Sequence, residues 1–159
     1  MELLPKWKLL DDGDVCYIDT PIGNQTLHME FGMSDWTMDT IWFNVYMTLY
    51  NKKKQIKSNE NHIKMTGASP METVAAALKA FKELEKEVLW SYNHKYNIIV
   101  YCTWLDNRRR DAYYKVLSRW GYRYGRDPID GTKWIFNTFL TKACIICIKR
   151  WIVSILKIS

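Results

Sequence analysis

The residues with the most evident chemistry lie between positions 108 and 126. Arg108-Arg109-Arg110, Lys115, Arg119, Arg123 and Arg126 are interleaved there with Tyr113, Tyr114, Trp120, Tyr122 and Tyr124. Guanidinium groups fork onto phosphate and aromatic rings stack on unpaired bases, so the pattern suits nucleic acid or another phosphorylated partner. A solvated helix face is the plainer alternative, because no recognised nucleic-acid motif frames the cluster. Cys144-Ile145-Ile146-Cys147 has the spacing of a metal or redox pair. No second Cys or His pair stands nearby to complete four ligands, and two small buried apolar residues fit the same pattern. His28, His62 and His94 share no ligand spacing. Asp11, Asp12, Asp14 and Asp19 match no calcium loop and read more simply as a solvated acidic entry to a strand. Gly-x-Ser-x-Gly, P-loop and dinucleotide fingerprints are absent, which removes the commonest hydrolase and nucleotide-binding readings.

These groups sit in a chain of 159 residues, 48% hydrophobic and 14% aromatic, with 7 Gly and 4 Pro. That composition excludes a disordered or collagen-like protein and fits one globular domain. Residues 1–89 carry ten Lys/Arg and thirteen Asp/Glu, whereas residues 90–159 carry thirteen and four. An anionic partner is therefore expected at the C-terminal half. Four cysteines make no disulfide framework for this length and no signal sequence is legible at the start, so a cytoplasmic location is expected.

The elements that must position the cluster follow from periodicity. Asp14–Asp19 and Gln25–Phe31 read as a hairpin around Pro21-Ile22-Gly23-Asn24. Thr40–Tyr50 alternates, with Ile41, Phe43, Val45, Met47 and Leu49 on one face and Trp42, Asn44, Tyr46, Thr48 and Tyr50 on the other. His62–Thr66 reads as a short fourth strand. Ser69-Pro70-Met71-Glu72 combines an N-cap, a first-turn proline and a capping-box glutamate, so a helix should run from Pro70 to about Tyr92. Its expected buried face is Val74, Ala77, Leu78, Phe81, Leu84, Val88 and Leu89. Asn97–Trp104 is a nearly continuous apolar strand. Arg108–Arg119 is a second helix, with Ala112, Tyr113, Val116, Leu117 and Trp120 inward and Gly121 ending it; strands follow at Tyr122–Gly125 and Lys133–Leu140.

The order, an antiparallel meander followed by β-α-β-α-β with helices on a mixed central sheet, is an α+β arrangement. It resembles the GNAT N-acetyltransferase fold over about residues 14–140. Lys64-Met65-Thr66-Gly67-Ala68-Ser69-Pro70 is placed like the family's Gly-rich cofactor loop, although it lacks the second glycine spacing. Asn107-Arg108-Arg109-Arg110-Asp111-Ala112-Tyr113-Tyr114-Lys115 with Arg119-Trp120-Gly121-Tyr122 looks like the family's signature after the central strand, with about one helical turn more than typical members. The wording is most similar to small GNAT-like proteins encoded by bacteriophages, which would place the chain in a host cytoplasm.

The resemblance implies acetyl transfer from acetyl-CoA to an amine acceptor. It implies cofactor contacts at Thr66, Gly67, Ala68, Ser69, Asn107 and Arg108. A proton for the departing thiolate would come from Tyr114 or, failing it, Tyr113. Both tyrosines also read as core or interface residues. Amides at a helix N-terminus favour a phosphate, but Glu72 competes for them. The other reading is a non-catalytic GNAT-like module that binds nucleic acid or a host protein through the basic helix. Residues 1–140 form the expected domain. Residues 141–159, apolar but broken by Lys142, Lys149, Arg150 and Lys157, form an expected appendage that docks on the sheet or touches an anionic membrane surface.

Overall fold

Residues 4–10, 13–51, 70–104, 107–127 and 130–141 are described by a computed structural model. Four antiparallel strands come first: β1 (Lys6–Leu10), β2 (Gly13–Ile22), β3 (Gln25–Trp36) and β4 (Thr40–Asn51). The helix α1 (Pro70–Tyr92) crosses back to β5 (Asn97–Cys102). The helix α2 (Asn107–Leu117), continued by a 3-10 turn at Ser118–Trp120, leads to β6 (Arg123–Arg126) and β7 (Lys133–Phe139). All seven described strands share one mixed sheet in the order β1-β2-β3-β4-β5-β7-β6, so the chain has the expected α+β class. The expected strand His62–Thr66, Ser69 of the capping box, and residues 142–159 lie outside the described residues.

Local chemistry accounts for the hairpins. Ile22 pairs with Gln25, which leaves a two-residue loop in which Gly23 takes a φ of 57°. A loop of this length needs positive φ, and glycine adopts it without a Cβ clash. The helix α2 and its 3-10 turn end at Gly121, φ 86°, whose N–H bonds Ser118 while that of Tyr122 bonds Leu117.

Alternation puts Cys16, Ile18, Met29, Phe31, Ile41, Phe43, Ile98, Val100 and Ile135 on one face of the sheet. They form a single core with Ala80, Phe81, Leu84 and Val88 of α1 and Leu117 of α2. Each large apolar side chain buried there contributes about 1.5–3 kcal/mol. The helix faces differ in part from the sequence expectation. Val74 is half exposed and Ala112 is exposed, while Thr73 and Glu85 are buried. Glu85 is buried with its charge answered: it accepts a hydrogen bond from the Tyr122 hydroxyl (2.8 Å) and forms an ion pair with Lys82 (2.6 Å). The Lys82 ammonium also lies 4.1 Å from the Trp120 ring centroid, so α1 is tied to the segment that leaves α2.

Cys16 and Cys102 are buried free thiols, and burial pushes both up to about 12, which keeps them protonated and unreactive near neutrality. At the far end of β7, Asn93 donates to the carbonyls of Phe139 and Leu140, and the Thr141 N–H donates to Asn97. No described helix is long and apolar enough to cross a membrane.

Candidate functional site

Among the described residues the sheet has one parallel joint, between β4 and β5. β4 and β5 pair in parallel from Thr40–Asn97 to Asn44–Tyr101 and then part, while β4 continues to Asn51. From Val45 onward the β5-facing edge of β4 has no strand partner among the described residues. The first turns of α1 lie at this end, because Ala76 and Ala77 pack on the cluster of Ile22, Leu27 and Leu49, whereas Tyr92 at its other end meets Phe43. A crevice at the carboxyl end of parallel strands, beside a helix N-terminus, is where open α/β sheets place ligands.

On the face turned away from the helices, aromatic side chains surround the mouth of the split. Trp42 stacks on Trp134 at 5.4 Å, and Tyr101 tilts against Trp134 at 4.9 Å. A register shift between Met33 and Asp35 sets Ser34 where it accepts a hydrogen bond from the Tyr101 hydroxyl (3.1 Å). Burial raises the Tyr101 phenol above its ordinary value. Asn44 donates to the Tyr46 hydroxyl (2.8 Å), while Asn44 Oδ1 and Trp134 Nε1 are buried without a hydrogen-bond partner among the described residues. Unanswered buried polar atoms are groups a ligand can satisfy.

On β3, the strand next to β4, His28 lies between Asp19 (2.6 Å from Nδ1) and Glu30 (3.0 Å from Nε2), with Tyr17 and Tyr50 rings against it. The hydrogen bond to Glu30 is the largest influence raising its pKa, and burial opposes it. An acceptor at each nitrogen favours the doubly protonated ring.

A second concavity, of about 620 Å³, lies under the N-terminal half of α2 and is lined by Trp104, Arg110, Asp111, Tyr124, Gly125, Arg126 and Lys133. Arg110 Nε donates to Asp111 (2.7 Å), and this bond is the first cause of the upward shift of its guanidinium. Tyr124 stacks on Tyr114 at 4.0 Å and meets the edge of Trp104, yet stays 44% exposed. Arg126 and Lys133 are exposed partners directly opposite each other on β6 and β7.

The residues singled out in the sequence are distributed as follows. Tyr114 is half-buried against Tyr124, and Tyr113 is half-buried against the main core. Asn107 is the exposed first residue of α2, and Arg108 lies in its first turn. Thr66, Gly67, Ala68 and Ser69 lie outside the described residues. Sequence reasoning missed Asn44, Tyr101 and Ser34 as a group, and it missed Trp104 and Lys133 as cavity walls. The outward face of β4 was legible from alternation, but the parting of β4 from β5 leaves no local signal. Compared with known proteins, the chain matches no family model, no curated protein and no solved structure.

Proposed function

We propose that this chain is a GNAT-like acyltransferase that moves an acetyl group from acetyl-CoA to an amine. The observation that carries the reading is the parallel β4–β5 pair that parts after Asn44 and Tyr101 at the end where α1 begins. A strand edge without a partner offers main-chain donors and acceptors to an extended, amide-bearing arm. Thr66, Gly67, Ala68 and Ser69 precede α1 and are the residues assigned to the pyrophosphate, with Asn107 and Arg108 assigned to the far wall.

Acetyl-CoA supplies an activated acyl group. The protein's part is to orient the acceptor nitrogen, take its proton and return one to the leaving thiolate. Asn44 Oδ1 is an acceptor suited to an amine N–H at the mouth of the split. Tyr114, or failing it Tyr113, is the proton donor of this reading.

Titration calorimetry with acetyl-CoA, followed by thiol release over a panel of amines, tests it. Saturable binding and amine-dependent release are expected. Replacing the correct tyrosine by phenylalanine should lower turnover about 100-fold with affinity for acetyl-CoA nearly unchanged, the behaviour of a proton donor. Full activity in the Tyr113→Phe/Tyr114→Phe double variant removes both from the chemistry, and absence of any acetyl-CoA binding removes the function.

A second reading, a non-catalytic module for nucleic acid or a host protein, draws on charge. Residues 107–126 carry seven Lys/Arg and one acid, a net charge equal to that of the whole chain, +6. Salt-sensitive polyanion binding without thioester turnover would favour it.

A further inference from the structure

The cavity beneath α2 combines features that the proposed acetyl transfer does not require. Arg126 and Lys133 are cross-strand partners, which places their Cβ atoms about 5 Å apart and makes the pair of like charges unfavourable. Neither forms a salt bridge among the described residues, whereas Arg110 on the opposite wall has Asp111. The acids of the adjoining turn are engaged elsewhere. Asp130 accepts from the Thr132 N–H (2.7 Å), Asp127 accepts from the Asp130 N–H (3.3 Å), and the charge of Asp127 acts on Tyr101. Two uncompensated cations therefore face one opening, together with a third whose Nε is already fixed.

The rest of the wall is aromatic. One face of Tyr124 is occupied by Tyr114 and its edge by Trp104, yet 44% of the residue stays exposed, so ring surface remains toward the cavity. The volume, about 620 Å³, suits a ligand of one or two rings with a charged substituent. Cations that converge beside a pre-stacked ring select a planar group carrying a phosphate.

We propose that this cavity is a binding site for a nucleoside phosphate, its phosphate held by Arg126 and Lys133 and its base laid on Tyr124. Two sources present that chemistry: the nucleotide end of coenzyme A, or a separate nucleotide. The site does not depend on acetyl transfer: its walls, on α2, β6, β7 and Trp104 after β5, include no residue at the split and neither Tyr113 nor Tyr114, although Tyr124 stacks on Tyr114.

Calorimetric titration of the full chain with AMP, at low and moderate ionic strength, is the test. Saturable binding that weakens with salt is expected, with adenosine and inorganic phosphate each binding far more weakly than AMP. Arg126→Gln and Lys133→Gln should each weaken AMP about tenfold, the size of one charge-assisted hydrogen bond, and Lys133→Arg should retain most affinity. Both residues are exposed and repel each other, so melting temperatures that are unchanged or slightly raised accompany these losses. Displacement of AMP by acetyl-CoA assigns the site to the coenzyme's nucleotide end, and simultaneous binding of both assigns it to a separate nucleotide. No AMP binding, equal AMP affinity in the Arg126→Gln/Lys133→Gln variant, or tight binding of a single-stranded oligonucleotide without any binding of AMP would each overturn the proposal. A chain that binds AMP but turns over no acetyl-CoA would refute the acyltransferase reading and leave this one standing.

Discussion

On the β2–β3 hairpin the ring of His28 has a carboxylate at each nitrogen, whereas on the β6–β7 hairpin Arg126 and Lys133 face each other with no carboxylate between them. Both pairs of strands are antiparallel, and both clusters contain aromatic rings. The difference lies in whether the charge is answered from within the chain. Where it is, the group holds the sheet together; where it is not, the group costs stability and is free to bind. Glu85 belongs with the first class, since Lys82 and Tyr122 meet it on the protein side.

The largest expected effect comes from breaking an answered charge that is buried. Glu85→Ala leaves the Tyr122 hydroxyl without its acceptor in the core and frees Lys82, so a loss of about 2–3 kcal/mol is expected in denaturant unfolding. A variant as stable as the parent would show that this contact does not tie α1 to the segment between α2 and β6. His28→Gln is expected to cost about 1 kcal/mol, the discounted value for a partly exposed ion pair. The pH dependence has a definite sign. The folded-state pKa of His28 lies above its ordinary 6.5, so its stabilising contribution is complete below 6.5 and is lost as pH rises through the raised value. The melting temperature of the parent should fall over that interval and that of the glutamine variant should fall less. Parallel profiles would mean that His28 is not held charged. Lys133→Glu sharpens the contrast by reversing its direction. An opposite-charge pair with Arg126 replaces a like-charge pair, and a gain of about 0.5 kcal/mol is expected with loss of AMP binding. Destabilisation by this substitution would place Lys133 among the answered charges.

Much of this contrast was written locally and part of it was not. The turn Pro21-Ile22-Gly23-Asn24 sets the pairing of Ile22 with Gln25, and from there Asp19 opposite His28 follows by counting. Pro70 and the following apolar spacing located α1, but reading hydrophobicity alone put Val74 inward, because the buried Thr73 and Glu85 take their places through polar contacts. β1 escaped notice: its alternation of Lys6, Trp7, Lys8 and Leu9 belongs to a short edge strand whose Leu9 is 86% exposed, so it has no continuous apolar face. The cavity was not legible because β7 inserts between β5 and β6, and only that non-local order brings Trp104 beside Tyr124 and Lys133. The candidate tyrosines came from the family resemblance, which could not say that Tyr114 would lie flat on Tyr124.

The parallel joint also bears on how the chain reaches this fold. The hairpins of the meander close over turns of a few residues, whereas the joint requires Thr40 to find Asn97 across the whole of α1. Loop-closure entropy delays such contacts, so the meander can assemble while β5 is still searching. Only five residue pairs then hold β4 to β5. In refolding, amide protection should therefore arise in β2 and β3 before β5, and in the folded protein exchange at those β5 amides that bond β4 rather than β7 would report the strength of a seam that, among the described residues, has no pair beyond Asn44 and Tyr101.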